Sequence, residues 1–150
     1  MGETDAFGVS AVAALGNKID VAENDVLAHL ASDPNVGVIG CYLETVDEPR
    51  GLVELARELC REKPLVLLRG AITEGGARAG LTHTGKLVKP NQLIGRNLER
   101  AGVTMAADFM DLINKVRAFD YLDGRKAPER FTVISTSGGA AVALIDQLSQ

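Results

Sequence analysis

His83 stands in the most unusual stretch of the chain, residues 70–85, GAITEGGARAGLTHTG, which holds five glycines and puts a threonine on each side of the imidazole. A glycine-rich backbone lets successive N–H groups approach an anion, and Gly76 and Thr84 are the candidate anion contacts within it. An imidazole has two distinct nitrogens, and the hydrogen bond made by one sets the role of the other. Glu44 closes an apolar run at 36–43. A carboxylate at that strand end points to the same rim as a loop that follows the run at 64–68. There it can accept the Nδ1 proton of His83 and leave Nε2 as a nucleophile. Each residue also has a plainer reading: a solvated histidine on a surface loop, and a strand-terminal surface glutamate.

Two further turns bring polar groups to a strand end. Gly16-Asn17, with Asp20 behind it, follows the apolar run 8–15; Gly-Asn is also a common turn. Ser137-Gly138-Gly139 lies between an apolar run at 131–134 and a helical pattern. A helix start in that position offers unpaired N–H groups and the positive end of a dipole to an anion. Other candidates carry less. Gly80-x-x-x-x-Gly85-Lys86 is followed by Leu87 where a P-loop needs Ser or Thr for magnesium. Cys41 and Cys60 lack metal-ligand spacing and fall on apolar faces, as buried thiols do. His29 belongs to the polar side of a short helix.

The elements that must position these residues follow from apolar periodicity. Nearly continuous apolar runs at 8–15, 36–43, 64–68 and 131–134, with a weaker one at 103–106, read as buried parallel strands. Between them lie helical patterns. Leu52, Leu55, Ala56, Leu59 and Cys60 form one stripe, and Phe109, Leu112, Ile113 and Val116 another. The second helix starts near Asp108 and Asp111 and ends near Lys115 and Arg117, charges that suit its dipole. Pro90 starts a helix that Gly102 stops, and Val26, Leu27 and Leu30 mark a shorter one. Alternating strands and helices make an α/β sheet with helices on both faces, and ligands of such sheets bind beyond the carboxyl ends of the strands.

Composition narrows the function. With 150 residues and 46% apolar content the chain can build one full core. A net charge of −4 disfavours a phosphate-backbone binder, and 4% aromatics with no Trp offers no stacking platform for bases. No apolar run nears the roughly 20 residues that span a bilayer, and Met1 to Ala6 lacks the basic-then-apolar form of a signal peptide. No nucleic acid or membrane partner is expected, and the expected location is cytoplasmic.

In order along the chain, LGNKID at 15–20, CYLET at 41–45, EKPLVLLRG at 62–70, GGARAGLTHTG at 75–85 and RAGVTMAADFMDLI at 100–113 resemble the NDP-forming acyl-CoA synthetases and their succinyl-CoA ligase relatives. The resemblance runs from about residue 8 to 119 and implies the flavodoxin-like CoA-ligase domain, a mostly parallel sheet. It also implies that His83, within Thr82-His83-Thr84-Gly85, becomes phosphorylated, Thr82 standing where the family has Ser. Glu44, in Tyr42-Leu43-Glu44, matches the glutamate that supports that histidine. Ser137, Gly138 and Gly139 look like the phosphate-cradling helix start of the following domain. Arg69-Gly70-Ala71 stands where the family has Lys-x-Gly.

The implied reaction joins an acid to CoA with an NTP, through phosphohistidine and acyl phosphate. No tightly bound cofactor or resident metal is implied. CoA and ATP or GTP with magnesium are substrates reached through a CoA-binding domain and an ATP-grasp domain or subunit, so the isolated chain is expected to be inactive. A small carboxylic acid is the remaining substrate, and a homodimer stays open. The implied organisation is a domain at 1–119 without the family's usual first strand and helix, a linker at 120–130, and a strand–helix unit at 131–150 that resembles the start of the next domain. Because that unit has the form of the missing pieces, it is expected to complete the sheet, within one chain or swapped between two. The rival reading is a non-catalytic α/β interaction or metabolite-sensing module derived from such a synthetase.

Overall fold

The computed structural model describes residues 8–16, 18–73, 75–76 and 92–122, with positions 137, 139, 142, 143 and 146 beyond them. Three parallel strands, β1 (Ile39–Leu43), β2 (Leu65–Arg69) and β3 (Thr104–Ala106), form a sheet in the order β1-β2-β3. Ile39 lies opposite Leu65, and Val66 opposite Thr104. Four helices are described in full beside them: α1 (Glu23–Ser32), α2 (Pro49–Glu62), α3 (Gln92–Arg100) and α4 (Phe109–Leu122).

Period-two alternation along β1 assigns the faces. Ile39 and Leu43 join Leu27 of α1, Leu52 and Leu59 of α2 and Leu98 of α3 in one buried cluster. Gly40 turns the other way, and a Cβ there would meet Val116 Cγ2 at 2.9 Å and Leu112 beyond it, so α4 covers the opposite face. β2 is central and buried on both faces. Each large apolar side chain withdrawn from water contributes about 1.5–3 kcal/mol, so the α1–α2–α3 face carries most of the stability. On the α4 face the expected stripe is only half covered: Phe109 and Ile113 remain exposed.

The helix ends follow from local chemistry. Pro49 starts α2 after Glu48, a position where its missing N–H costs nothing. Asp108 Oδ1 accepts the Asp111 N–H at 2.8 Å, and Asp111 Oδ2 accepts the Ala107 N–H at 2.8 Å, closing the first turn of α4. Gly102, at φ 101°, ends α3 as expected. The Val103 N–H donates to Leu98 O and the Gly102 N–H to Glu99 O, both at 3.0 Å, the pair of bonds that defines a Schellman end. Lys63 Nζ donates to Leu30 O at 3.2 Å and also to Asp33 O, satisfying carbonyls at the end of α1.

Two expectations are corrected. The run 8–15 is not assigned as a strand: residues 8–16 join no ladder among the described residues, and Val9 and Val12 are exposed. A strand is defined by its partner's hydrogen bonds, which an apolar pattern alone does not supply. α4 also runs on to Leu122, three residues into the stretch read as a linker, because no breaker precedes Gly124. The run at 131–134 lies outside the described residues.

Candidate functional site

The carboxyl ends of the three strands make one rim. Glu44 follows β1 there, half-buried, and the Gly70 N–H extends the ladder by donating to Leu43 O at 2.9 Å. Tyr42, two residues before Glu44 and so on the same face of the strand, donates its hydroxyl to Glu44 Oε1 at 3.0 Å. Both side chains lie across Gly70. A Cβ on Gly70 would sit 2.6 Å from Tyr42 Oη and 3.1 Å from Glu44 Cγ, so the missing side chain is what admits the pair. The Tyr42 ring rests against Phe109 at the start of α4, centroids 5.1 Å apart and planes tilted by 45°, a favourable aromatic arrangement. Desolvation, then the Glu44 carboxylate, pushes the Tyr42 phenol above its ordinary range, so it stays protonated and a donor at neutral pH.

A second anchor joins the turn after residue 16 to the same rim. Lys18 adopts φ 56°, a left-handed conformation uncommon for a side-chain-bearing residue. Its ammonium donates to Thr45 O at 2.7 Å and lies 2.8 Å from Glu23 Oε2, in an ion pair whose side chains are 8% and 2% exposed. Glu23 Oε1 in turn accepts the Asp47 N–H at 3.0 Å. Removing either charge would leave the other buried alone, which is costly. Sequence reasoning singled out Gly16 and Asn17 here and missed Lys18 and Glu23. The available signal was a lysine directly behind a Gly-Asn turn, with a glutamate starting the next helix. Gly16 itself is exposed, with open space where a side chain would be.

The glycine-rich loop is described at its start. Ala71 has φ 52°, and Thr73 Oγ1 accepts the Gly76 N–H at 3.1 Å, so that N–H serves the turn. A Cβ on Gly76 would come within 3.2 Å of Ala71 Cα. Arg69, at the end of β2, is half-buried; desolvation lowers its pKa, but a guanidinium remains charged. The rim therefore brings together Glu44, Tyr42, Gly70, Arg69 and the anchored Lys18 turn. His83, Thr84, Asn17 and Gly138 lie outside the described residues. Ser137 and Gly139 are described and exposed, Gly139 in helical conformation. Among the described residues no group of three or more His, Cys, Asp or Glu is placed to hold a metal, and no helix is long and apolar enough to cross a membrane.

Comparison with known proteins places this geometry among relatives. Residues 1–119 match the succinyl-CoA ligase like flavodoxin domain. The alpha subunit of ADP-forming acetate–CoA ligase I of Pyrococcus furiosus is 29% identical over 142 residues, which is 95% of this chain and 30% of that protein. ADP-forming acetate–CoA ligase I of Archaeoglobus fulgidus is 32% identical over 146 residues, 97% of this chain and 21% of that protein. Among solved structures, the dinucleotide-forming acetyl-coenzyme A synthetase 1 of Candidatus Korarchaeum cryptofilum, in complex with phosphate and ADP, aligns with a TM-score of 0.78 at 30% identity. That alignment covers 89% of this chain and 29% of the other. The chain thus spans less than a third of the length of each of these proteins.

Proposed function

Because this chain belongs to the succinyl-CoA ligase like flavodoxin domain family, we propose that it is the phosphohistidine-carrying domain of an NDP-forming acyl-CoA synthetase. The observation that supports this most is the Tyr42–Glu44 pair lying across Gly70, the first residue of the loop that holds His83. In this reading Glu44 accepts the Nδ1 proton of His83, so Nε2 presents its lone pair to the γ-phosphorus of an NTP. The P–N bond forms as the bond to the departing NDP breaks. The phosphoryl group then moves to a carboxylate, His83 regains its lone pair, and CoA sulfur displaces phosphate from the acyl phosphate. Dividing the reaction this way replaces one difficult displacement by easier ones.

Backbone N–H groups of a helix start at Ser137–Gly139 and the hydroxyl of Thr84 would hold the phosphoryl oxygens, as preorganised donors aimed at developing charge. CoA, the nucleotide and its magnesium come through partner domains, a CoA-binding and an ATP-grasp unit, in the cytoplasm. The test is a synthetase assembled from this chain and those partners, incubated with γ-labelled nucleotide. Acid-labile, base-stable label is expected on His83, abolished by His83→Ala and untouched by His29→Ala. Label that persists in the His83 variant rejects the assignment.

A further inference from the structure

Among the described residues β1 is the edge of the sheet, and its open side is not built like an edge. In a parallel ladder alternate residues address alternate neighbours. The Ile39 N–H donates to Pro64 O and Leu43 O accepts from Gly70, so Ile39, Cys41 and Leu43 address β2. Gly40 and Tyr42 therefore turn their N–H and C=O groups to the open side. An open edge is ordinarily blunted by charge, proline or a bulge, yet β1 reads IGCYL with none of these. Beyond it lies the apolar 8–16 segment, with Val9 and Val12 66% and 86% exposed. Between segment and edge run two cavities of about 310 and 560 Å³, one lined by Val9, Val36, Gly40 and Val116, the other by Val12, Ala14, Leu27 and Cys41. Lys18, through Thr45, ties the far end of the segment to β1. Two apolar flanks joined at one end and separated along their length by these cavities have the form of a slot. Flavodoxin-like sheets have five strands in the order 2-1-3-4-5. If the 8–16 segment, β1, β2 and β3 are strands 2, 3, 4 and 5, the slot is position 1.

We propose that this slot seats residues 131–134 of the same chain, FTVI, as a parallel strand between the 8–16 segment and β1. Three observations select that occupant. α4 follows β3 and so returns toward the amino ends of the strands, and Asp120 near its end lines the groove beside Asn35 and Val36, where a parallel strand would enter. Residues 123–130 then need only turn the chain into the slot, and eight residues reach up to about 26–29 Å. The path is also right-handed if the β1–α2–β2 crossover is. α4 lies on the face opposite α2, and the return runs opposite to the β1-to-β3 direction; reversing both preserves the hand that parallel crossovers almost always take.

Seating the strand would pair Gly40 and Tyr42, cover Val9 and Val12, and bring the turn at Ser135–Gly139 to the rim that holds Glu44. The insertion stands without the phosphohistidine reading. The test is residue-resolved amide exchange on the full chain, with size-exclusion light scattering. Gly40 and Tyr42 amides should exchange at least about tenfold more slowly than free amides, the effect of one ladder bond. Val133→Pro, which removes a strand donor, should abolish that protection while Ile39 and Cys41 keep theirs. Val133→Ile should change nothing, and the chain should be monomeric. Three results overturn the proposal: free exchange of Gly40 and Tyr42 in the parent, protection that survives Val133→Pro, or protection found only in a dimer.

Discussion

Among the described residues Glu44 is held by the Tyr42 phenol, over Gly70, at the point where β1 gives way to the rim. If its carboxylate fixes the His83 tautomer, Glu44→Gln should slow phosphorylation of His83 in the assembled synthetase by about 10²–10⁴-fold, the usual range for proton assistance, with far-UV dichroism unchanged. Single-turnover labelling measures this, and an unchanged rate counts against the pairing. Gly70→Ala should slow the same step by a smaller factor, because its methyl would occupy the place of Tyr42 Oη and disengage the donor without removing the acceptor. Tyr42→Phe should match it; a Gly70 variant with the parent rate would separate the phenol from the chemistry. Cys41 offers a check on burial. Desolvation, then the Glu23 carboxylate, pushes its thiol from 9.0 to about 11. At pH 8 its alkylation should be about 100-fold slower than that of an unperturbed thiol, since the thiolate is the nucleophile. The folded chain holds that proton more tightly, so the contribution to stability is complete below pH 9 and is lost as pH rises through about 11.

At the scale of elements, stability concentrates where α2 and α3 meet the sheet. Leu52, Leu59, Leu65, Leu67 and Leu98 are almost wholly buried there. Gly102 ends α3 with a positive φ, and a Cβ would come 3.0 Å from Cys60 Cβ. Gly102→Ala should therefore lose about 1–2 kcal/mol from backbone conformation alone, and the melting temperature should fall by about 2–8 °C. A thermal scan that leaves it unchanged would show that the turn can re-form without glycine. These elements were legible because their signals are local: a stripe such as Leu52, Ala56 and Leu59, a glycine at Gly102. The 8–15 run was misread for the converse reason. Its apolar pattern states that it wants burial, but whether it is a strand depends on a neighbour distant in sequence.

The chain spans less than a third of the length of these relatives, and the proposed relay needs what lies in the rest of such proteins. The chain alone, incubated with labelled ATP, should take up no phosphate, while adding an ATP-grasp partner should place label on His83. Label on the isolated chain would mean that it binds nucleotide itself. By itself the sequence determined the α/β class, three of the strands, the start of α4, the glycine stop of α3 and the family, since periodicity, capping residues and an ordered set of motifs are all local in the chain. Tertiary structure alone decided that Tyr42 holds Glu44 over Gly70, that Lys18 and Glu23 form a buried pair tying two loops together, and that a largely apolar cavity lies between the 8–16 segment and β1. The first of those relations joins residues 28 positions apart, Tyr42 and Gly70, and all arise only when parallel strands set the ends of separate segments side by side.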